Sequence, residues 1–326
     1  RVSVDELKAQ NKPELAQTLY DLWRRKVDEA RVSGIDLGGL KFLIEEATAD
    51  HEAQNKSKEG RERRTREVEE NNFLKGLRLA FHAIAPGKFM MGEVGKQIET
   101  EITRPFQMAA TQTTQAVWRQ ATLRAKEKFP GKYDSLISDP SKFKGELHPV
   151  ERVSWDDVQL WIQALNELAT VGDPVVQEVM PGHKLGEIFR LPTEAEWEFV
   201  VRIRGTAQDT YHFGQNTTDL VEYAWFDQNA GGRTHPVAQK KPLVLDGQEF
   251  YDMHGNVWEW TQDSWDGGSP LEGGKDPLGT TGFQRVARGG GGQFGAFDLR
   301  SAYRNFGLPG DSGQGNVGFR LVKALP

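Results

Sequence analysis

From Leu79 onward, glycine and proline cut this chain into short apolar segments, and that texture narrows the folds open to it. Strand-like pieces stand in loop-rich surroundings, and no strand–helix–strand unit repeats. The expected class is therefore α+β with a large irregular share. Short elements bury little surface by themselves, so the core must draw on big side chains, with Trp155, Trp197, Trp258 and Trp260 as its candidates.

A few regular elements are legible. Phe81 to Met91 and Phe106 to Thr114 read as strands separated by a polar loop. Thr114 to Lys126 reads as a helix with Val117, Trp118 and Leu123 facing inward. Ser154 to Ala169 is a stronger helix, with Ser154 as N-cap and Asp157 three residues on. Its stripe is Val158, Trp161, Ile162, Leu165 and Leu168. Thr193 and Glu196 form a capping box ahead of Trp197 and Phe199.

Residues 1–80 differ and read as a helical extension with a charged linker. Leu15, Leu19, Leu22, Trp23 and Val27 share one helical face, and Gly34 and Gly38-Gly39 break that helix. Leu40, Phe42, Leu43, Ile44 and Ala47 begin a second. Asp50 to Glu70 is nearly free of apolar side chains, as suits either a solvated helix or a flexible linker. The apolar face of the first helix is expected to dock on the main domain or on another subunit rather than on a membrane surface, since its polar face is mixed in charge rather than basic.

Composition removes several functions. A net charge of −6 offers no basic footprint, so nucleic acid is not an expected partner. No apolar run approaches the roughly 20 residues of a membrane helix. The opening RVSVDELKAQNKPEL does not read as a secretory signal, and surface display stays open if one has been removed from a precursor. The chain has no cysteine, which excludes disulfides, thiol nucleophiles and thiolate metal sites. Its 7 histidines include no HxxxH or HExxH pair, so helix-borne zinc ligation has no support.

The stretch from Arg285 to Leu321 contains two kinds of residue. Arg285-Val286, Arg288-Gly289-Gly290, Leu299-Arg300-Ser301-Ala302, Arg304 and Gly318-Phe319-Arg320-Leu321 read as framework. Between them lie Gln293, Phe294, Gly295, Ala296, Phe297, Asp298, Tyr303, Phe306, Gly307, Leu308, Gly310, Asp311, Ser312 and Gly313, with neither a helical nor a strand period. Aromatics set among glycines suit an adaptable contact surface. The other reading is an irregular loop that buries those aromatics in its own domain.

Further motifs run in order: His148-Pro149-Val150 with Val153-Ser154-Trp155, Phe189-Arg190-Leu191-Pro192-Thr193-Glu194-Ala195-Glu196-Trp197-Glu198, Tyr223-Ala224-Trp225, and Thr234-His235-Pro236-Val237. Tyr251-Asp252-Met253-His254-Gly255-Asn256-Val257-Trp258-Glu259-Trp260 and Gly318-Phe319-Arg320 complete the set. Over about residues 82–323 they resemble the formylglycine-generating-enzyme, or sulfatase-modifying-factor, family. The resemblance implies a C-type-lectin-like fold over 81–326. Within it, Arg190, Glu194, Glu196 and Glu259 are expected to tie loops together, and His148, His235 and His254 to be structural. Asp252, Asn256 and Glu259 leave two readings: a structural calcium site, as in relatives with a metal at this turn, or a tight turn with Glu259 paired to an arginine.

The family's enzymes imply a copper-binding cysteine pair that oxidises a substrate cysteine, and this chain supplies none. A second branch holds iron on the histidines of a helical bundle, and only His51 precedes the domain here. The tract 285–321 resembles instead the variable region of diversity-generating retroelement target proteins. In these, error-prone reverse transcription at adenines randomises codons on a lectin-like scaffold. The shared framework is RVxRGG…LRSAxR…GFRL, although Gly291-Gly292 stands where a Ser-Trp pair is common. That resemblance implies a non-catalytic protein binding a protein or other macromolecular ligand through the tract. Two alternatives remain: an enzyme of this fold with a cysteine-free, metal-dependent site, and a structural subunit that docks through the N-terminal helices.

Overall fold

The computed structural model describes residues 77–267, 273–310 and 316–324, all within the unit Val68–Pro326. The helices expected between residues 15 and 47, and the charged stretch 50–70, lie outside the described residues.

Four small sheets and a few helices make up an α+β fold. One sheet runs β1 (Phe81–Ile84), β4 (Phe106–Ala109), β13 (Val322–Ala324), β5 (Ile188–Arg190), with every neighbour antiparallel. The C-terminal strand thus lies at its centre, between segments more than a hundred residues earlier in the chain. The second sheet runs β11 (Asn305–Gly307), β10 (Gln284–Arg288), β8 (Trp258–Trp265), β12 (Val317–Gly318), and carries the tract at its edges. A third joins β2 (Gly87–Met91), β3 (Ile98–Ile102) and β9 (Gly274–Lys275), and β6 (Leu243–Leu245) with β7 (Gln248–Phe250) forms a hairpin.

The main helices are α1 (Gln115–Lys128), α2 (Trp155–Thr170), α3 (Pro174–Val179) and α4 (Glu194–Val201). The expected capping box of Thr193 with Glu196 and the expected N-cap at Ser154 are present, and Ser154 with Asp157 closes a second box. The stripe of α2 is buried as expected. Trp118 and Trp161 stack at 5.3 Å, and Phe319 meets both edge-on at 6.1 and 5.6 Å, locking α1 and α2 to the C-terminal segment.

Three expectations need correction. Leu123 is exposed: the buried stripe of α1 runs through Val117, Trp118, Ala121, Thr122 and Ala125, and Leu123 falls off that arc. Phe81 to Met91 is two strands in different sheets, broken at Ala85-Pro86, where proline supplies no ladder donor. The polar loop after it contains β3, whose Thr100 and Ile102 point inward while its glutamates face solvent.

A buried polar knot joins these parts. Glu259, on β8, has no exposed surface, and its carboxylate accepts Nε and Nη2 of Arg320 at 2.7 Å each. It also accepts Trp197 Nε1 from α4 at 2.8 Å and Gln112 Nε2 at 3.0 Å. Arg320 donates further to the carbonyls of Tyr251 and Asp252, and Gln112 to those of Asp252, Gly255 and Val257. Four chain segments far apart in sequence meet at one charge.

Removing one member of a buried pair strands the other without water. Glu259→Gln is expected to cost roughly 3–5 kcal/mol in urea denaturation, whereas Lys88→Ala, at the exposed Lys88–Glu99 pair, is expected to cost under about 1 kcal/mol. Equal losses for the two variants would contradict this account of the core.

Candidate ligand-binding surface

The tract enters on β10 and returns on β11, paired Arg285 to Gly307, Val286 to Phe306 and Ala287 to Asn305. Its framework residues point inward: Val286, Arg288, Leu299, Ser301, Phe319, Arg320 and Leu321 are all buried. Arg288 is enclosed completely. It pairs with Glu198 of α4, lies 3.6 Å from Glu194, and donates to the backbone carbonyls of Ser301 at 2.8 Å and Tyr303 at 2.6 Å.

Other scaffold donors grip the backbone of the tract in the same way. Tyr211 Oη donates to the carbonyl of Ala296 at 2.7 Å, and the amides of Asp227 and Asp156 donate to those of Phe294 and Pro309 at 3.1 Å. His254 Nδ1 lies 2.7 Å from the carbonyl of Leu299. A carbonyl only accepts, so Nδ1 carries the proton, and Nε2 is left to accept the amide of His212 at 3.3 Å. Burial pushes His254 down from its ordinary 6.5 to about 4.

The intervening side chains divide. Phe297, Phe306 and Leu308 are 63%, 41% and 55% exposed, and Gln293 and Gly310 are exposed as well. Phe297 lies under the guanidinium of Arg300 at 3.8 Å and edge-on to Tyr303 at 5.3 Å, while Phe306 meets Trp265 edge-on at 5.2 Å. Gly295, Ala296 and Asp298 are half-buried at the rim. Phe294 and Tyr303 are not free rings. Both are half-buried against Trp258, at 5.4 and 6.0 Å, and help close the core beneath the surface. Asp311, Ser312 and Gly313 lie outside the described residues.

The glycines divide too. A Cβ on Gly307 would stand 2.6 Å from the Trp260 ring, and one on Gly292 would stand 2.6 Å from the carbonyl of Arg233, so neither position has room for a side chain. At Gly295 and Gly310 the nearest atoms would be 3.6 and 3.7 Å away, which is ordinary contact. Gly307 therefore belongs with the framework. The sequence hid this, because the residue it must avoid, Trp260, is far from it in the chain.

The expected loop ties are present: Arg190 pairs with Glu196, Arg304 with Glu194 and Arg320 with Glu259. His148 Nδ1 meets Thr234 Oγ1 at 2.9 Å, and His235 Nε2 meets the carbonyl of Ala230 at 2.9 Å while stacking on Trp225. Trp155 is half-buried rather than a core residue, and Arg285 covers its ring at 3.8 Å.

Two of the three residues weighed for a calcium site at this turn, Asn256 and Glu259, already have other partners, while Asp252 Oδ1 is buried with none. The Asn256 side chain bonds the backbone of His235 at 3.0 Å through both its oxygen and its nitrogen, and Glu259 is neutralised by Arg320. Among the described residues no group of three or more His, Asp or Glu side chains is arranged to hold a metal, and no helix is long and apolar enough to cross a membrane.

Small sheets cross-tied by buried Trp, Arg and Glu, with loops gathered on one irregular tract, define a C-type-lectin-like scaffold of the formylglycine-generating-enzyme type. The chain belongs to the sulfatase-modifying factor enzyme 1-like domain family, whose sequence profile matches residues 78–325. It is 28% identical to the mouse (Mus musculus) formylglycine-generating enzyme over 247 residues, 71% of this chain and 56% of that one. It is 29% identical to the chaperone protein LppX of Paenibacillus barcinonensis over 193 residues, 46% of this chain and 67% of the other. The chain thus spans little more than half the length of the mouse enzyme. Among solved structures it shares its fold with Treponema denticola variable protein 1, with a TM-score of 0.57 and 23% identity over 75% of this chain and 94% of that one. PvdO from Pseudomonas aeruginosa gives 0.56 and 23% over the same shares.

Two measurements check the geometry. His254 is charged in the unfolded chain below about 6.5 but in the folded chain only near 4, so the stability it contributes is complete above 6.5 and lost as pH falls toward 4. Imidazole NMR should show no titration of His254 near 6.5, and a normal titration would refute its burial. Gly307→Val is expected to lower the melting temperature by many degrees, and Gly310→Asn hardly at all.

Proposed function

We propose that this protein is a non-catalytic binding protein whose tract 285–321 presents a diversified contact surface on a lectin-like scaffold, as in diversity-generating retroelement target proteins. One observation carries the reading. The scaffold holds the tract by its backbone carbonyls at 294, 296, 299, 301, 303 and 309, while Gln293, Phe297, Phe306 and Leu308 project outward. An anchor on the main chain is indifferent to the side chain beside it, which a surface varied from copy to copy requires. Exposed rings held in place also make good anchors for a ligand, because little conformational freedom is left to lose on binding.

Two further facts support the reading. The chain has no cysteine, so the cysteine chemistry of formylglycine-generating relatives has no counterpart here. A protein of this fold is itself named a variable protein. The ligand class is a protein or another macromolecule with an apolar contact patch.

Replacing Gln293, Phe297, Phe306 and Leu308 together by serine is expected to leave the melting temperature within a few degrees of the parent, by calorimetry. Loss of cooperative folding would overturn the separation of scaffold from surface. The flanking DNA tests the origin of the tract. A near-copy of the codons for 285–321, differing only at adenines and lying beside a reverse transcriptase gene, is the expected finding.

A further inference from the structure

Within the tract's framework, one cation has been left without a counter-charge. Every other described arginine that is not exposed has a carboxylate oxygen within salt-bridge distance. Arg285 is half-buried and has none among the described residues. Its Nη1 donates to Ser264 Oγ at 2.5 Å and reaches the carbonyl of Gln262 only at 3.5 Å. Its Nε is buried with no partner, and Nη2 has no hydrogen-bond partner among the described residues. Its Cζ stands over the Trp155 ring, 3.8 Å from the ring centroid, so the cation also rests on an aromatic face. Asp156 and Asp263 act on it only at longer range, and desolvation holds its pKa below the ordinary guanidinium value.

A cation that has lost water and gained no counter-ion costs free energy, and natural cores rarely leave one so. The neighbouring arginines show how readily this scaffold supplies a glutamate: Arg304 takes Glu194 with two hydrogen bonds, and Arg300 takes Glu93. Arg285, the second residue of β10, pairs with Gly307 and so shares the Trp155–Trp260 face of the sheet, while Phe306 and Leu308 turn to the other face. It lies beside Trp155, whose neighbour Asp156 donates its amide to Pro309 and stands 3.7 Å from where a Cβ on Gly310 would be. Arg285 therefore stands beside the tract at Pro309 and the exposed Gly310. Resting on the reading of that tract as a contact surface, we infer that Arg285 is a fixed anion-binding residue of this surface, and that it receives the carboxylate of an Asp or Glu side chain from a protein ligand. The exposed side chains of the tract would vary between copies and choose the ligand, whereas Arg285, as framework, would ask each ligand for one acidic residue. On a protein of net charge −6, such a local cation also admits acidic partners that the overall field would turn away.

The test is panning of a random-peptide phage library on the full chain, with the wild type, Arg285→Gln and Arg285→Lys compared. Wild type should enrich peptides containing Asp or Glu, and Arg285→Gln should bind the same peptides at least about tenfold more weakly. Arg285→Lys keeps the charge but loses the planar donor, and should fall between the two. Because Arg285→Gln could disturb the fold, the peptide is varied as well. Changing its acidic residue to the amide should weaken binding to wild type and leave binding to Arg285→Gln unchanged. Enriched peptides without acidic residues, or equal losses on both proteins, would overturn the role of Arg285 and leave the contact surface standing. If the fourfold serine variant bound the enriched peptides as well as wild type does, the contact surface itself would be wrong, and Arg285 with it.

Discussion

The carboxylate of Glu259 is the constraint on which the rest of the molecule depends. It lies on β8, the longest strand, and its four hydrogen bonds reach α4, the segment before α1 and the C-terminal Gly318-Phe319-Arg320. In a fold of short elements, apolar contact alone leaves many near-equivalent ways to pack. A buried charge has far fewer solutions, because each lone pair left unmatched is costly. The bond from Trp197 couples the knot to the apolar core: the ring can sit fully buried only with its Nε1–H facing Glu259. The net stability from such a knot is modest, since desolvating the ions offsets most of their attraction. What it supplies is uniqueness.

A second knot transmits that order to the surface. Glu198, one residue beyond Trp197 in α4, pairs with Arg202 and Arg288 and accepts the amide of Gly92 at 2.7 Å. Arg288 then reaches up to the carbonyls of Ser301 and Tyr303. The path from core to tract therefore runs through guanidinium groups ending on main-chain oxygens. Side chains at 297, 306 and 308 take no part in it. This explains why residues with no periodic order can occupy a well-defined place: their backbone is fixed from below, and their composition is not.

The parts legible in the sequence were those whose cause is local. The N-cap at Ser154, the capping box at Thr193, the stripe of α2 and the pairing expected of Arg190, Glu194, Glu196 and Glu259 all follow from residues that are neighbours or carry an obligatory need for a partner. The failures have non-local causes. The strand β3 reads as a polar loop because one face is solvated and its pairing with β2 and β9 cannot be seen from IETEI alone. Phe294 and Tyr303 read as surface rings because nothing nearby announces Trp258 beneath them. The unpaired state of Arg285 is less visible still, since it depends on where every carboxylate in the fold has gone.

Gly291-Gly292 bears most directly on the identity of the tract, because it departs from the pattern of variable-region relatives. Its surroundings assign it to the scaffold. The amide of Gly292 donates to the carbonyl of Asn256 at 2.9 Å, at the turn just before Trp258 and Glu259, and its Cα lies too close to the carbonyl of Arg233 to carry a side chain. A Ser-Trp pair there would need a different path for the 230–233 loop. The difference thus concerns how two scaffold loops meet beneath the tract, by backbone contact here in place of a packed indole. It leaves untouched the division between a backbone held from below and side chains turned to solvent. A departure at an exposed position would have weighed against a varied surface, whereas one at a buried seam only records a different way of supporting it.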